Sequence, residues 1–333
     1  MSNHSFNFDQ LLTNINARKE LCNPPYITAF RLLNGFTESL PSLVIDVFGT
    51  TLVIHDYSKS NALFGADLIS NLVSFIRKEL PWLTAGILKQ RHHPQVSHKK
   101  GIRLFGTSLT SKIHENGIWY AINLTLNQDN SFYLDTRLLR HWLSKHMNQL
   151  TVLNTFAYTG SLGIAAFSSG AKDVIQLDLN RDFLRVAQQS AALNQLPIIK
   201  RHYQTSDFWS RINQYKKNRL LFDCVILDPP IFSKTKKATI HLTQNYDRLI
   251  NKVRPIINHN GYLITINNAL FQSGKEHLEI LQALCQDGYL SITTTIDVPR
   301  DCVGYLNTEP NFPSDPTPYN HSTKITILQV RRK

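Results

Sequence analysis

The second half of the sequence predicts an α/β fold with a largely parallel sheet and helices on both faces. Short apolar runs typical of strands alternate there with runs typical of helices. Two of the predicted strands end in turns that suit a ligand, one with glycine and one with two prolines. The last two strands have no predicted helix between them, so antiparallel pairing is expected there. The predicted strands lie at 151–155, 174–178, 222–228, 261–267, 289–297 and 323–330, and the predicted helices at 161–168, 181–194, 241–257 and 275–286.

The first part of the chain is predicted to hold a smaller α+β domain. Residues 1–25 are a lead that is helical or loosely ordered, and residues 26–110 form the small domain. The amphipathic pattern over 62–80 predicts a helix, and Pro81 follows its end as a helix stop. The predicted strands of this domain lie at 27–33, 43–47, 51–55 and 85–89, with glycine or proline in several of the turns.

A basic stretch follows these strands and is predicted to be a loop. Clustered cations of this kind contact phosphates, and a solvated surface loop is the alternative. The neighbouring histidines have no acid or cysteine beside them, so no metal site is predicted. The stretch contains Lys89, Arg91, His92, His93, His98, Lys99, Lys100 and Arg103, of which Lys99, Lys100 and Arg103 are the candidate phosphate-binding residues.

The second domain is predicted to begin with a hairpin and to run over residues 111–333. Asn116-Gly117 is a two-residue turn between alternating apolar residues, which is the strongest short-range signal for a hairpin. A polar and aromatic segment follows the hairpin and leads into an amphipathic helix predicted over 137–147.

The turn after the strand at 151–155 predicts a nucleoside site. Thr159-Gly160-Ser161 follows this strand, and the next strand ends at Asp178. An acid about twenty residues beyond a glycine turn can accept both ribose hydroxyls of an adenosine. Asp207 is expected near the adenine amino group, with a helix cap for Phe208 as its alternative role. The residues expected around the nucleoside are Asn154, Phe156, Tyr158, Thr159, Gly160, Asp178, Leu179 and Asp207.

The glycine spacing favours a ligand that carries no phosphates. A nicotinamide dinucleotide site has the pattern Gly-x-Gly-x-x-Gly, whereas this turn has only Gly160 and Gly163. The lysine of a phosphate-binding loop is also missing. S-adenosylmethionine combines an adenosine with a sulfonium and has no phosphate, so it is the predicted cofactor. A nicotinamide oxidoreductase is the disfavoured alternative.

The sequence Asp228-Pro229-Pro230-Ile231-Phe232 closes the strand at 222–228 and predicts the second half of the site. The prolines remove two backbone donors and stiffen the turn. Asp228 and the Pro229 carbonyl can then accept hydrogen bonds from a base edge, and Phe232 can stack on a flipped base. Asp228, Pro229, Pro230 and Phe232 are therefore the candidate catalytic residues. Three lysines follow directly, Lys234, Lys236 and Lys237. Their side chains suit phosphates beside the target base, and a solvated loop is the alternative.

The composition is that of an ordinary soluble globular protein with a basic surface. Of the 333 residues, 42% are hydrophobic and 18% are charged, and the net charge is +12. Such an excess favours a polyanionic partner through counterion release. The four cysteines are widely spread without zinc spacing, which predicts a reducing compartment. The sequence shows no secretory signal and no run of about eighteen apolar residues, so a cytoplasmic location without membrane contact is predicted.

Three motifs in this order resemble one family, the bacterial class I S-adenosylmethionine-dependent methyltransferases of large-subunit ribosomal RNA. The resemblance covers about residues 26–333 and implies a Rossmann-like seven-stranded sheet beside the small α+β domain. It also implies that Phe132, Tyr133, Asp135 and Arg137 close the far side of the cofactor. The amino-terminal RNA-binding PUA domain that is usual in the cytosine branch of the family is not found in this sequence. The motifs are Tyr133-Leu134-Asp135-x-Arg137, Asn154-x-Phe156-x-Tyr158-Thr159-Gly160 and Asp228-Pro229-Pro230-x-Phe232.

The family includes a 5-methylcytosine enzyme and a 7-methylguanine enzyme, and the cysteines favour the guanine branch. Attack through carbon 5 of cytosine requires a thiolate, which the cytosine branch carries in the strand that here spans 263–268 and has no cysteine. Cys224 lies about 13 Å back along its strand from Asp228, and Cys302 is the only fallback. Asn267-Asn268 resembles the guanine branch instead.

The sequence therefore predicts a methyltransferase of a ribosomal RNA base, with guanine favoured, acting on 23S rRNA or on a large-subunit assembly intermediate. Three alternatives stay open: a cytosine target, an exocyclic amine target, and an RNA-binding assembly factor that keeps only a residual cofactor pocket. Residues 315–324 form a proline-rich lip that either closes over the substrate or is a structural loop. His321, within this lip, is either catalytic or structural.

Overall fold

The computed structural model describes residues 6–59, 64–234, 239–305 and 316–332, with the backbone alone at 232–234 and 239–245. The chain forms two compact units. The first contains Met1–Leu134 and Pro299–Phe312, and the second contains Asp135–Val298 and Pro313–Lys333. Each unit has its own sheet and its own hydrophobic core.

The second unit is built on a seven-stranded sheet. Its strand order is β10-β9-β8-β11-β14-β16-β15, with parallel pairing from β10 to β14 and antiparallel pairing of β16 with both β14 and β15. The predicted α/β fold is therefore confirmed, as is the antiparallel pair at the end of the chain. The elements are α4 (Arg137–His146), β8 (Thr151–Thr155), α5 (Ser161–Ser168), β9 (Asp173–Asp178), α6 (Arg181–Leu193), β10 (Tyr203–Thr205), α7 (Phe208–Lys217), β11 (Phe222–Leu227), α8 (Leu242–Val253), β14 (Ile257–Asn267), α9 (Gly274–Cys285), β15 (Leu290–Ile296) and β16 (Lys324–Val330).

The central strands of this sheet are apolar runs because helices cover both of their faces. Val225 and Leu227 on β11 point into one core with Leu249 and Val253 of α8, and all four side chains are fully buried. Each such burial stabilises the fold by roughly 1.5–3 kcal/mol. A short hairpin of β12 (Phe232–Lys234) and β13 (Thr239–His241) follows β11 and was not predicted.

The strand order of this sheet reverses between β8 and β11. The chain continues from β8 to β9 and β10 on one side, then returns to place β11 and β14 on the other side. The carboxyl ends of β8, β9, β11 and β14 therefore share one edge. A crevice forms at such a reversal, and it is the usual ligand site of open α/β sheets. Both of the motifs that the sequence analysis selects lie at this edge.

The first unit is built on a five-stranded sheet of order β1-β2-β3-β4-β5. The pairing is antiparallel except between β3 and β4, which α2 joins as a crossover helix. The elements are α1 (Phe8–Asn16), β1 (Ala29–Asn34), β2 (Leu43–Phe48), β3 (Thr51–Asp56), α2 (Ala66–Glu79), β4 (Ala85–Gln90), α3 (Val96–Lys100), β5 (Ile102–Phe105), β6 (Lys112–Glu115), β7 (Ile118–Ala121) and α10 (Arg300–Val303).

The basic stretch of the first unit is not a loop, which corrects the sequence analysis. It contains α3 and β5, which are joined by Gly101 at φ 120°. The chain turns at this glycine because a left-handed backbone suits glycine and few other residues. Lys89 is fully buried on β4, and its ammonium donates to the carbonyls of Asn127 and Asp129. Lys89 therefore makes internal hydrogen bonds and is not a surface cation, whereas Arg103 on β5 is exposed.

The predicted hairpin is confirmed as β6 and β7, with positive φ at both Asn116 and Gly117. Its contacts group it with the first unit, since the His114 amide donates to the Ile27 carbonyl at 2.8 Å. The chain thus divides after Leu134, whereas the domain boundary expected from the sequence lies after residue 110. The domain limits predicted from the sequence stay a proposal.

No helix within the described ranges combines the length and the apolar character needed to cross a bilayer.

Candidate functional site

The carboxylate of Asp178 links the carboxyl ends of β8 and β9 by hydrogen bonds. Asp178, the last residue of β9, accepts hydrogen bonds from the Tyr158 and Asn180 amides, each at 2.8 Å. Burial raises the pKa of Asp178, and the amide hydrogen bonds from Asn180, Tyr158 and Leu179 act against that rise. A carboxylate has about four acceptor positions, so after three amide hydrogen bonds Asp178 retains capacity for a further donor such as a ribose hydroxyl.

The turn after β8 requires glycine at two positions. Gly160 has φ 78°, and a Cβ at this residue would lie 2.5 Å from the Cβ of Ala187. A Cβ at Gly163 would lie 2.4 Å from the side-chain nitrogen of Gln176. That nitrogen donates to the Gly160 carbonyl at 3.1 Å. The turn and the first residues of α5 are therefore packed directly against β9 and α6.

Asn154 supports this turn through Gln176. Its side-chain nitrogen donates to the Gln176 side-chain oxygen at 2.8 Å, and both residues are buried on neighbouring strands. The Asn154 side-chain oxygen is buried and has no hydrogen-bond partner among the described residues. The cofactor contact predicted for Asn154 stays a prediction, and the observed hydrogen bond makes it a residue that positions Gly160.

Gly160→Ala is expected to destabilise the second unit by about 2–5 kcal/mol. The left-handed backbone costs an alanine about 1–2 kcal/mol, and the forced contact with Ala187 adds about 1–3 kcal/mol. Gly288→Ala is the matched control, since Gly288 also has a positive φ but no atom lies within 4 Å of its added Cβ. Urea unfolding of both variants measures the difference. Equal losses for the two would show that the packing against Ala187 is not tight.

The other residues predicted around the nucleoside lie on the same edge of the sheet. Phe156 stacks on Phe208 at 4.7 Å between ring centres, and Tyr158 packs edge-on against Phe183 at 4.5 Å. Leu179 is 55% exposed, which suits contact with an adenine face, and Thr159 is buried.

Asp207 begins a helix that the sequence analysis did not list. Its carboxylate accepts from the Ser210 amide at 3.0 Å and from the Ser210 hydroxyl at 2.9 Å, so it caps α7. The alternative role considered for Asp207 is thus present in the structure. A contact between Asp207 and an adenine stays a prediction.

A pair of carboxylates, Asp228 and Asp135, lies at the carboxyl end of β11. Asp228 follows the last residue of β11, and burial together with the nearby charge of Asp135 raises its pKa to about 7. Asp135 accepts a hydrogen bond from the Thr323 hydroxyl at 2.8 Å. Pro229 is buried and Pro230 is exposed, so the turn is anchored on one side and open on the other. The missed partner is Asp135, which the sequence analysis assigned to the cofactor and not to Asp228.

The raised pKa of Asp228 makes a prediction about stability. The folded protein holds this proton up to pH 7, whereas an unfolded aspartic acid loses it near pH 4, so folding stability decreases as the pH rises through this window. Asp228→Asn carries no charge and is expected to be more stable than the wild type at pH 8, with a smaller difference at pH 5.

Asp223→Asn is the control of opposite sign for this prediction. Burial acts to raise the pKa of Asp223, but hydrogen bonds from Thr151 and Asn258 outweigh it and lower the pKa. This variant is therefore expected to lose stability by a similar amount at pH 8 and pH 5, because the loss diminishes only as the pH falls below about 4. Thermal unfolding at the two pH values measures both variants, and a loss of stability by Asp228→Asn at pH 8 would contradict the account.

The end of β14 holds several buried polar groups, of which only the pair Asn267-Asn268 was noted from the sequence. Asn267 is fully buried and donates to Gln272 at 2.8 Å, while the buried side-chain oxygen of Asn268 has no hydrogen-bond partner among the described residues. Lys324 on β16 is fully buried, and burial lowers its pKa to about 8. Burial and the charge of Lys324 lower the pKa of His277 to about 3. No sequence pattern signals the burial of Lys324 and His277, because this burial depends on pairing between distant strands.

The described cysteines do not offer a nucleophile at this edge. Cys224 is fully buried within β11, and burial raises the pKa of its thiol far above the usual range. Cys302 is fully buried in the first unit, where its carbonyl accepts from the Asn34 side chain. His321 accepts the Thr323 amide at 3.0 Å and so stabilises the turn before β16.

The remaining candidate residues are divided between the two units. Phe132 is buried against Tyr120, and Tyr133 is 42% exposed with its hydroxyl donating to Asp129 at 3.2 Å. Arg137 opens α4 in the second unit. Lys99 and Lys100 end α3. Phe232 and Lys234 lie on β12 with only their backbone described, and Lys236 and Lys237 lie outside the described residues.

The sequence matches the model of a known family over more than half of its length. The family model of S-adenosylmethionine-dependent methyltransferases matches residues 85–280. The chain belongs to this family, and S-adenosylmethionine is its cofactor. The residues present fit this group, because Asp178 keeps an acceptor position for a ribose hydroxyl and the Asp228 carboxyl group lies on the same edge of the sheet.

The relatives of this chain are methyltransferases named for ribosomal RNA. The chain is 29% identical over 251 residues to ribosomal RNA large subunit methyltransferase I of Aeromonas salmonicida, covering 75% of this chain but 63% of that protein. It is 27% identical to the protein of the same name from Tolumonas auensis, covering 82% and 68%. A crystal structure of a protein assigned as a methyltransferase and complexed with SAH superimposes with a TM-score of 0.84 at 21% identity, covering 99% of this chain and 83% of that one.

Proposed function

We propose that this protein transfers the methyl group of S-adenosylmethionine to a base of large-subunit ribosomal RNA, with guanine favoured over cytosine. One observation carries the proposal: Asp178 and Asp228 lie at the carboxyl ends of the two strands that flank β8. Two strand spacings separate them by roughly 10 Å. This span suits a nucleoside whose sugar is bound at one carboxylate and whose reactive end points to the other.

Asp228 and the rigid turn after it would hold the target base. The Pro229 carbonyl and the Asp228 carboxylate can both accept from the amide and amino groups along one edge of guanine. The carboxylate must be ionised to accept twice, and its pKa of about 7 places it at the midpoint in the free protein. A positive sulfonium nearby favours the ionised form and so lowers this pKa. Cofactor binding would therefore prepare Asp228 for the base.

The charge balance of the reaction favours a ring nitrogen of guanine. The lone pair of N7 forms the new bond to the methyl carbon, the carbon–sulfur bond breaks, and its electron pair stays on sulfur. The positive charge moves from the sulfonium to the methylated base, and no proton has to leave before attack. The ionised Asp228, with Asp135 beside it, stabilises the positive charge that develops on the base in the transition state.

Methylation at carbon 5 of cytosine would need a thiolate that adds to the ring first. Cys224 is enclosed within β11 and Cys302 is enclosed in the first unit, so neither of these two thiols is available to a base at the edge of the sheet. The net charge of +12 supports a polyanionic substrate, and the names of the two relatives support ribosomal RNA as that substrate.

A comparison of nucleosides tests this function in the cell. Large-subunit rRNA from a strain that lacks the gene is digested and compared by mass spectrometry with rRNA from the parent strain. The proposal expects one methylated guanosine to be missing and to return with a plasmid copy of the gene. A missing 5-methylcytidine, or a methyl group missing from an exocyclic amine, would keep the class of reaction and overturn the guanine assignment.

A further inference from the structure

The turn after β14 presents two apolar side chains to solvent. Phe271 is 84% exposed, the largest exposed fraction among the large hydrophobic side chains of the described residues, and Leu270 beside it is 42% exposed. Scattered surface hydrophobics are normal and mean little by themselves. The position and the rigidity of this turn distinguish Phe271 from the others.

The turn is held from both ends by buried hydrogen bonds. The Asn267 side chain accepts the Ala269 amide at 2.9 Å and donates to the Gln272 side chain at 2.8 Å. The buried ammonium of Lys324 donates to the Ala269 carbonyl at 3.1 Å. Ser273 then begins α9 with a capping box. Residues 269–273 are therefore fixed, and the exposure of Phe271 follows from the fold of this turn.

The turn lies on the edge that carries Asp228. β14 pairs in parallel with β11, and Leu227 is opposite Thr265, so the chain leaves β14 beside the turn at Asp228. Asn268 follows the last residue of β14. Its side-chain oxygen is buried and has no hydrogen-bond partner among the described residues. An exposed ring on a rigid turn beside a base-binding carboxylate suits a flat, apolar ligand surface. A nucleobase has such a surface, and its phosphates would complement the basic chain.

We propose that Phe271 stacks on a nucleobase of the RNA substrate next to the target base, with Leu270 flanking it. This inference rests on the proposed function, since it takes the substrate to be RNA. Phe271 would thereby fix the strand while the target base is held at Asp228. It acts on RNA binding alone, because nothing places it at the Asp178 end of the cofactor site.

The test compares Phe271→Ala, Phe271→Trp and Leu220→Ala in the full-length protein. Leu220 is 42% exposed and precedes the amino end of β11, on the opposite edge of the sheet, so it controls for the loss of an exposed hydrophobic side chain. RNA affinity is measured by filter retention of a large-subunit rRNA fragment, and cofactor affinity by calorimetry. Methyl transfer is measured with labelled S-adenosylmethionine.

Phe271→Ala is expected to weaken RNA binding by roughly 5- to 150-fold, which is the loss of one stacked base. The KM for RNA should rise, cofactor affinity should stay unchanged, and Phe271→Trp should restore RNA binding. Wild-type RNA affinity in Phe271→Ala would overturn the proposal. So would a wild-type dimer that this variant converts to a monomer, because the ring would then serve self-association. If the wild type binds RNA but transfers no label, the proposed function fails while the affinities still test the stacking.

Discussion

Asp228→Asn is expected to lower kcat for methyl transfer by about 10²–10³-fold, the usual cost of removing one oriented group that stabilises transition-state charge. The amide is nearly the same size as the carboxyl group, so the turn at Pro229 should keep its shape. It carries no charge, and it cannot stabilise the cation that moves from the sulfonium to the base. Affinity for S-adenosylmethionine is expected to fall as well, because the ionised Asp228 favours the sulfonium. Affinity for the uncharged demethylated product should stay near that of the wild type, because the ribose end of the site is unchanged.

The matched control for Asp228→Asn is Asp223→Asn on the same strand. Asp223 lies near the amino end of β11 and accepts from the Thr151 amide and the Asn258 side chain, far from the edge that holds the substrate. This variant should lose stability but keep kcat. The measurement is a steady-state assay with labelled cofactor and unmodified rRNA, at a temperature where both variants are folded. A full kcat in Asp228→Asn would remove Asp228 from the reaction.

Asp178→Ala is expected to weaken S-adenosylmethionine binding by roughly 30- to 150-fold. Hydrogen bonds to a charged acceptor contribute about 1.5–3 kcal/mol each, and part of this is offset because the carboxylate is only partly buried. The variant also removes the acceptor for the Tyr158 and Asn180 amides, so the turn beside the ligand loosens. Titration calorimetry with S-adenosylmethionine and with its demethylated product measures the loss.

Asp182→Ala is the control for Asp178→Ala. Asp182 lies on the first turn of α6, is exposed, and pairs with Arg185 on the same helix. Its removal should leave cofactor affinity unchanged, since exposed ion pairs contribute little. If Asp178→Ala bound the cofactor as tightly as the wild type does, the adenosine would have to lie elsewhere on the sheet.

Local signals in the sequence were sufficient for the elements that frame the site. The alternation of apolar runs predicted the central strands, and Asn116-Gly117 predicted the hairpin, because these patterns act within a few residues. α7 was not predicted as a helix, although Asp207 was weighed as its cap, since its ten residues carry mixed polar side chains. The basic stretch was interpreted as one loop because its turn depends on the backbone of Gly101, which composition does not reveal.

The electrostatics of the site could not be predicted from sequence in the same way. The pKa of Asp228 depends on Asp135, which lies at the start of the second unit and far away in the chain. Asn154 was predicted beside the ligand, but the structure adds Gln176 from the next strand as its hydrogen-bond partner. The exposure of Phe271 follows from buried contacts of Asn267 and Lys324. Each of these features requires the folded sheet.

The most direct measurement is methyl transfer in vitro, followed by identification of the labelled nucleoside. The purified protein is incubated with labelled S-adenosylmethionine and large-subunit rRNA, naked and within particles, from a strain that lacks the gene. Label on a single 7-methylguanosine, abolished by Asp228→Asn and retained by Asp223→Asn, is the predicted result. RNA binding without any transfer of label to either form of the rRNA would contradict the account.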